Sequence, residues 1–188
     1  MPNNRQAIAR REKVKITESA LVVPVPEAES VVGDLRAQFD PAAPAGVPAH
    51  ITVLYPFLAP PALDQPIIDE LRAIFSGVSP FEVTLPRIAL FPDVVYLPPD
   101  PVEPFLRLTA ATATRWPETP PYGGMYDQVI PHLTVAHTDD DSTSAAIRRK
   151  IEPALPIACS AAEVWLFTNR GEQWTVEQRF SFQGPGNR

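Results

Sequence analysis

Residues 47–57 read VPAHITVLYPF and residues 130–137 read IPHLTVAH. Each string holds a histidine, an apolar residue, a threonine and a second apolar residue: His50-Ile51-Thr52-Val53 and His132-Leu133-Thr134-Val135. Both are short, apolar and β-branched, so each predicts a strand, at His50–Leu54 and His132–Ala136. Side chains alternate along a strand, which sends histidine and threonine one way and the two apolar residues into a core. The chain has three histidines, and two of them open this pattern 82 positions apart. On residue frequencies, two of three doing so by accident comes to under about one in a thousand, so the pair reads as a duplication.

Working outward, the flanking elements repeat as well. Residues 18 to 25 predict a strand, followed by a helix with Val31, Val32, Leu35 and Phe39 on one face, ended by Asp40-Pro41 and the Pro/Ala run to Pro48. Asp64 is placed to cap a helix striped with Ile67, Ile68, Leu71, Ile74 and Phe75. Phe81 to Leu85, Ile88 to Phe91 and Val94 to Leu97 read as strands. Asp100-Pro101 then reads as cap and first residue of a helix reaching about Trp116. A Pro/Gly/Tyr loop over 117–131 leads to the second motif. Ser142 or Thr143 is expected to start a helix with Ile147 and Ile151, before strands near 157–168 and 173–182. Applied throughout, the 82-residue shift lays the helix of 64–76 near that of 143–153, and the strand 81–85 onto 163–167. Two copies are too few for a solenoid. They suit an α+β fold of two lobes with pseudo-twofold symmetry.

Composition bounds the rest. The 188 residues are 45% hydrophobic and 20% charged, enough for one domain with a packed core. The 24 prolines are expected in loops, helix starts and edge strands. Cys159 is alone, so an internal disulfide and a cysteine-rich metal site are both excluded. No stretch approaches the roughly 20 apolar residues of a membrane helix. Residues 1–17 carry a net charge of +4 and residues 18–188 a net of -10. The first predicts a basic, flexible tail without the apolar core of a secretory signal, and a cytoplasmic protein. The second lacks the basic footprint needed to follow a long polyphosphate, leaving a small nucleotide or a single RNA end as the nucleic-acid partner.

A single His-x-Thr strand is ordinarily a sheet face with two satisfied polar side chains. Its duplication changes that, because symmetric copies bring two imidazoles and two hydroxyls to one cleft. Two imidazoles do not complete a zinc site, and neither motif has Asp, Glu or Cys at a paired spacing, so no metal or cofactor is expected. Two histidines facing one substrate suit acid–base catalysis: unperturbed imidazoles titrate near pH ~6.5, so one neutral and one protonated coexist near neutrality. Phosphodiester cleavage needs a base for the attacking oxygen, an acid for the leaving alkoxide, and donors for the non-bridging oxygens.

The paired strings, with the loop Pro120-Pro121-Tyr122-Gly123-Gly124 before the second, resemble the His-x-Thr-x motifs of the 2H phosphoesterase superfamily, in the branch called the 2′-5′ RNA ligase or cyclic phosphodiesterase family. The resemblance spans about residues 18–183. It implies a bilobal α+β fold with two antiparallel sheets facing across a cleft, helices outside and one motif per lobe, in a single domain over 18–188. It also implies metal-independent opening of 2′,3′-cyclic phosphates of nucleotides or RNA ends, typically to a 2′-phosphate. His50 and His132 match the catalytic positions, and Thr52 and Thr134 the phosphate-binding ones. Ligation, the reverse reaction, fits the acidic body poorly.

Further candidate substrate contacts are Tyr55, Phe57, Tyr122 and Tyr126, whose rings flank the motifs and can stack on a base, although aromatics beside strands ordinarily belong to a core. His137 falls on the parity of Leu133 and Val135 or past the strand's end, which reads as structural. Relatives with a basic residue there make a phosphate contact the alternative. Arg115 and Arg170 are unplaced cations, and Trp165 and Trp174 read as packing residues. Two rival functions stand beside hydrolysis: a protein that binds a nucleotide or RNA end without turnover, and a related enzyme acting on an ADP-ribose cyclic phosphate, a 2′-5′ oligoadenylate or a non-nucleotide ester.

Overall fold

A computed structural model describes residues 17–171 and 173–184, so the basic tail predicted for residues 1–17 lies, up to residue 16, outside the described residues. The first lobe is built on β1 (Glu18–Pro24) and β2 (His50–Leu54), joined by α1 (Glu29–Phe39). The second has the same plan: β5 (Val94–Leu97) and β6 (Leu133–His137), joined by α3 (Glu103–Arg115). Each motif strand is then followed by a helix and a strand, α2 (Gln65–Ser76) and β3 (Phe81–Leu85) or α4 (Asp141–Ile151) and β7 (Ile157–Ala161). β4 (Ala89–Phe91) borders β5; β8 (Glu163–Asn169) and β9 (Trp174–Ser181) extend the first sheet. The sheets run β2-β1-β8-β9 and β4-β5-β6, and a third ladder pairs β3 with β7; every pairing is antiparallel. The predicted α+β class with its paired halves is the fold observed, and the β3–β7 ladder is an addition to it.

The repeat corrects one alignment. β3 corresponds to β7, not to the strand at 163–167, which is β8 and completes the sheet of the other half. An offset of 82 holds at the motifs and becomes 76 from α2 onward, because the stretch from His132 to the start of α4 is six residues shorter than that from His50 to the start of α2. Two helix starts also differ. Asp100 caps nothing: it exchanges backbone hydrogen bonds with Thr84 at 2.9 and 2.8 Å, so the chain is still extended there, and α3 begins beyond Val102 with proline in its first turn. α4 is capped by Asp140, whose carboxylate accepts from the Thr143 backbone N–H at 2.7 Å. The predicted Asp64 cap is present at 3.1 Å.

One apolar core runs through both lobes and includes Ile51, Val53, Leu133 and Val135. The helices cross over: α1 packs on β6 and α3 on β2, so each motif strand is backed by the other half's helix. Thr109 of α3, itself buried, donates to the Val53 carbonyl of β2 at 2.8 Å.

Candidate active site

Both motif strands carry the same irregularity. Along β1, Leu21 and Val22 are neighbours, yet they face Leu54 and Thr52, which leaves Val53 as an extra residue. Along β5, Val95 and Tyr96 face Ala136 and Thr134, which leaves Val135 as the extra one. A bulge therefore follows the threonine of each motif and breaks the period-two alternation there. Up to the bulge the alternation is as expected, with His50, Thr52, His132 and Thr134 half-buried between fully buried apolar neighbours. After it, Val135 and Ala136 are both buried, and His137 returns, exposed, to the side of His132 and Thr134. This corrects the parity assigned to His137.

The imidazoles are oriented identically. His50 Nδ1 lies 2.7 Å from the Pro48 carbonyl and His132 Nδ1 lies 2.6 Å from the Ile130 carbonyl, each two residues upstream. A carbonyl only accepts, so Nδ1 carries the hydrogen and Nε2 is the atom left to meet a substrate. The Glu29 carboxylate accepts from the Ala49 backbone N–H beside the first motif, fixing that turn to α1.

Burial pushes the His50 pKa down to about 4, with the Pro48 carbonyl opposing it and Arg36 adding to it. Burial lowers His132 as well, again against its carbonyl partner, with help from the nearby His137. The charge of His132 bears on His50, which places the two imidazoles in one electrostatic neighbourhood, and β2 and β6 lie beside each other. His132 is boxed in by Tyr96 and Phe91, whose rings stand edge-on to it at 5.2 and 5.3 Å. Behind His50, Arg36 is 1% exposed and bonds Asp40 at 2.9 and 3.1 Å and the Val47 carbonyl at 3.2 Å.

A cavity of about 420 Å³ opens in front of the first motif, lined among others by His50, Thr52, Tyr55, His137, Phe167 and Trp174. His137 thus reaches the first lobe's cavity from the second lobe's strand. Tyr55 donates its hydroxyl to Glu18 at 2.6 Å and meets Trp174 edge-on at 6.2 Å. Tyr122 has φ 53°, in the left-handed region a non-glycine residue seldom adopts. Its N–H donates to the Tyr55 carbonyl at 2.6 Å, and its phenol, whose pKa burial raises, lies against the Thr52 side chain. Tyr126 is 63% exposed and touches the edge of Tyr122.

Phe57 is a correction: 5% exposed, it packs edge-on against Trp116 in the main core and cannot stack on a ligand. Trp174 packs against Ala20, Val22 and Phe167, as expected, and in doing so also walls the cavity; Trp165 packs on the same cluster and sits under the Arg179 guanidinium at 4.2 Å. Arg115 pairs with Glu70, and Arg170 with Glu177, on the surface. Sequence reasoning missed Arg36, Asp40 and the two carbonyls at Pro48 and Ile130. The carbonyls had one available signal: they too stand 82 positions apart. Among the described residues there is no group of three or more His, Cys, Asp or Glu that could hold a metal ion, and no helix long and apolar enough to cross a membrane.

Residues 23–173 match the family described as the 2′-5′ RNA ligase superfamily. Among solved structures, the chain is similar to E. coli LigT complexed with 3′-AMP, at 16% identity and a TM-score of 0.59, covering 88% of this chain and 98% of that one. It is similar to TT0787 of Thermus thermophilus, at 21% identity and a TM-score of 0.58, covering 90% and 100%. E. coli LigT complexed with NADP+ aligns at 18% identity and a TM-score of 0.51, covering 89% and 98%. At these identities the likeness is one of fold. No curated protein matches the sequence.

Proposed function

The chain belongs to the 2′-5′ RNA ligase superfamily, a family of 2H phosphoesterases, and on that footing we propose that it opens 2′,3′-cyclic phosphates of nucleotides or RNA ends with His50 and His132 as its proton carriers. The observation that carries this reading is the twofold device of an imidazole held by its Nδ1–H on a backbone carbonyl, with a threonine two residues on. One Nε2 takes a proton from water as its oxygen bonds to phosphorus. The other Nε2 gives a proton to the 3′ oxygen as the P–O3′ bond breaks, leaving a 2′-phosphate and a 3′-hydroxyl. The Thr52 and Thr134 hydroxyls donate to the non-bridging oxygens, where charge grows. His137, on the same side, offers a further donor to the phosphate, and the Tyr122 phenol lies against the Thr52 side chain. That E. coli LigT is known with 3′-AMP, ATP and NADP+ supports a small nucleotide as the ligand class.

The test is turnover by EDTA-treated full-length protein on a panel of 2′,3′-cyclic mononucleotides, an ADP-ribose cyclic phosphate and 2′-5′ oligoadenylate, with products assigned by phosphorus NMR. Opening of the cyclic mononucleotides to 2′-phosphates is expected. Binding without turnover, turnover of the other esters alone, or strict dependence on added divalent metal would overturn the assignment.

A further inference from the structure

The two lobes share a plan but not their cleft-side surfaces. Beside the second motif, Tyr96 stacks on Phe91 at 4.1 Å and both rings close on His132, so that face is filled. A second cavity of about 350 Å³ lies beyond Tyr96 and holds neither motif histidine. Beside the first motif, Ala20, Val22 and Phe167 form a small apolar cluster separate from the main core, flanked by Tyr55 and Trp174. Tyr55 and Trp174, in edge-to-face contact with each other, pack over that cluster and wall the cavity beside it. Such a slot takes a flat, partly apolar group.

Its far wall carries a carboxylate. Glu18, Ala20 and Val22 lie on one face of β1, and Val22 stands opposite Thr52. Four residues of strand place Glu18 about 13 Å beyond Val22. That is roughly the reach of a nucleoside phosphate from phosphorus to the outer edge of its base plus one hydrogen bond. Glu18 is half-buried, and its Oε2 accepts from the Tyr55 hydroxyl, which orients the group. Among the described residues its Oε1 accepts no hydrogen bond. The cavity's other carboxylate, Asp40, is already engaged by Arg36 and by the Ala42 N–H.

We propose that this first-lobe cavity is a nucleobase subsite selective for guanine, with Glu18 reading the base's outer edge while the Tyr55–Trp174 pair supplies an aromatic wall on one side of it. The proposal rests on the reading of the site as a nucleotide site and adds base choice to it. A carboxylate only accepts. Guanine offers it two adjacent donors, N1–H and the exocyclic amine; adenine and cytosine offer one amine each. Uracil sets carbonyl oxygens either side of its single N–H, against the negative charge. Selectivity by a buried polar group exceeds what shape alone supplies, because a mismatched partner leaves the group unpaired.

The test separates base choice from chemistry. Calorimetric affinities of the full chain for guanosine, adenosine, cytidine and uridine 2′-monophosphates are compared, and turnover of the corresponding cyclic phosphates is followed independently. Guanosine is expected to bind best, and uridine worst by about tenfold or more. In Glu18→Gln, whose amide both donates and accepts, the guanosine-to-uridine ratio should fall toward one. A ratio is insensitive to a general loss of folded protein, and Tyr55→Phe, which frees the carboxylate's orientation, should lower it part of the way. Four equal affinities, a preference for uridine, or an unchanged ratio in Glu18→Gln would overturn the guanine subsite even if cyclic phosphates are hydrolysed. Guanine selectivity in binding without any turnover would uphold the subsite and sink the hydrolase. No binding of any of the four would end both.

Discussion

An imidazole in water titrates near pH ~6.5, and both motif histidines are held below that by burial, His50 at about 4. A cycle needing one neutral and one protonated imidazole is therefore expected to run best on the acid side of neutrality in kcat/KM, which reports the free protein, rather than in a bell centred on pH 7. A bound phosphate favours the charged imidazoles, so the kcat profile should lie at higher pH than that of kcat/KM; coincident profiles would count against an anion seated between them. The limits belong to the pair and name neither residue. The same shift acts on folding. Because the folded-state pKa of His50 is depressed, the unfolded chain binds more protons between pH about 6.5 and about 4, and stability falls as pH drops through that window. The loss should be on the order of 2 kcal/mol, and denaturant midpoints at pH 7 and 4.5 should differ less in His50→Asn than in the wild type. His50→Ala and His132→Ala should each lower kcat by roughly 10²–10⁴-fold, with the double variant well short of the product of the two losses. Thr52→Val and Thr134→Val, which keep the shape and remove the donor, should each cost roughly 10²-fold.

At the scale of elements, the site depends on helices reaching across the molecule to the opposite motif strand. The Val53 carbonyl, at the bulge of β2, accepts from Thr109 of α3. Thr109→Val keeps the volume and removes that donor, so stability should fall by about 1–3 kcal/mol, read by chemical denaturation. A null result would mean that water or another group satisfies the carbonyl. The legibility of the elements followed their local signals. Strands β2, β3 and β5 coincide with their predicted spans because β-branched runs are bounded by breakers. The start of α3 was misread because Asp100-Pro101 has the local chemistry of a cap while Thr84, sixteen residues upstream, claims Asp100 as a β-bridge partner. His137 was misread for a related reason. A bulge depends on register with a neighbouring strand, and no residue of the string IPHLTVAH announces it.

At the scale of the whole molecule, neither half of the chain holds a complete lobe. β8 and β9 complete the sheet of β1 and β2, β3 pairs with β7, and α1 and α3 back each other's strands. A fragment ending at residue 87, just beyond β3, should therefore be unfolded alone by circular dichroism and regain structure only when mixed with the remaining chain. Independent folding of that fragment would contradict a single domain over residues 18–188. What the sequence determined by itself was the pair of His-x-Thr strands and the face each residue takes up to the threonine. Strand periodicity and apolar burial are local and survive any tertiary arrangement. What only the tertiary structure decided was the return of His137 to the face of His132 and Thr134, the partner of β3, the lowered imidazole pKa values, and the open cavity in one lobe against the filled face in the other. Each of these depends on which groups from distant parts of the chain exclude water from, or hydrogen-bond to, a given side chain, and that is set by packing.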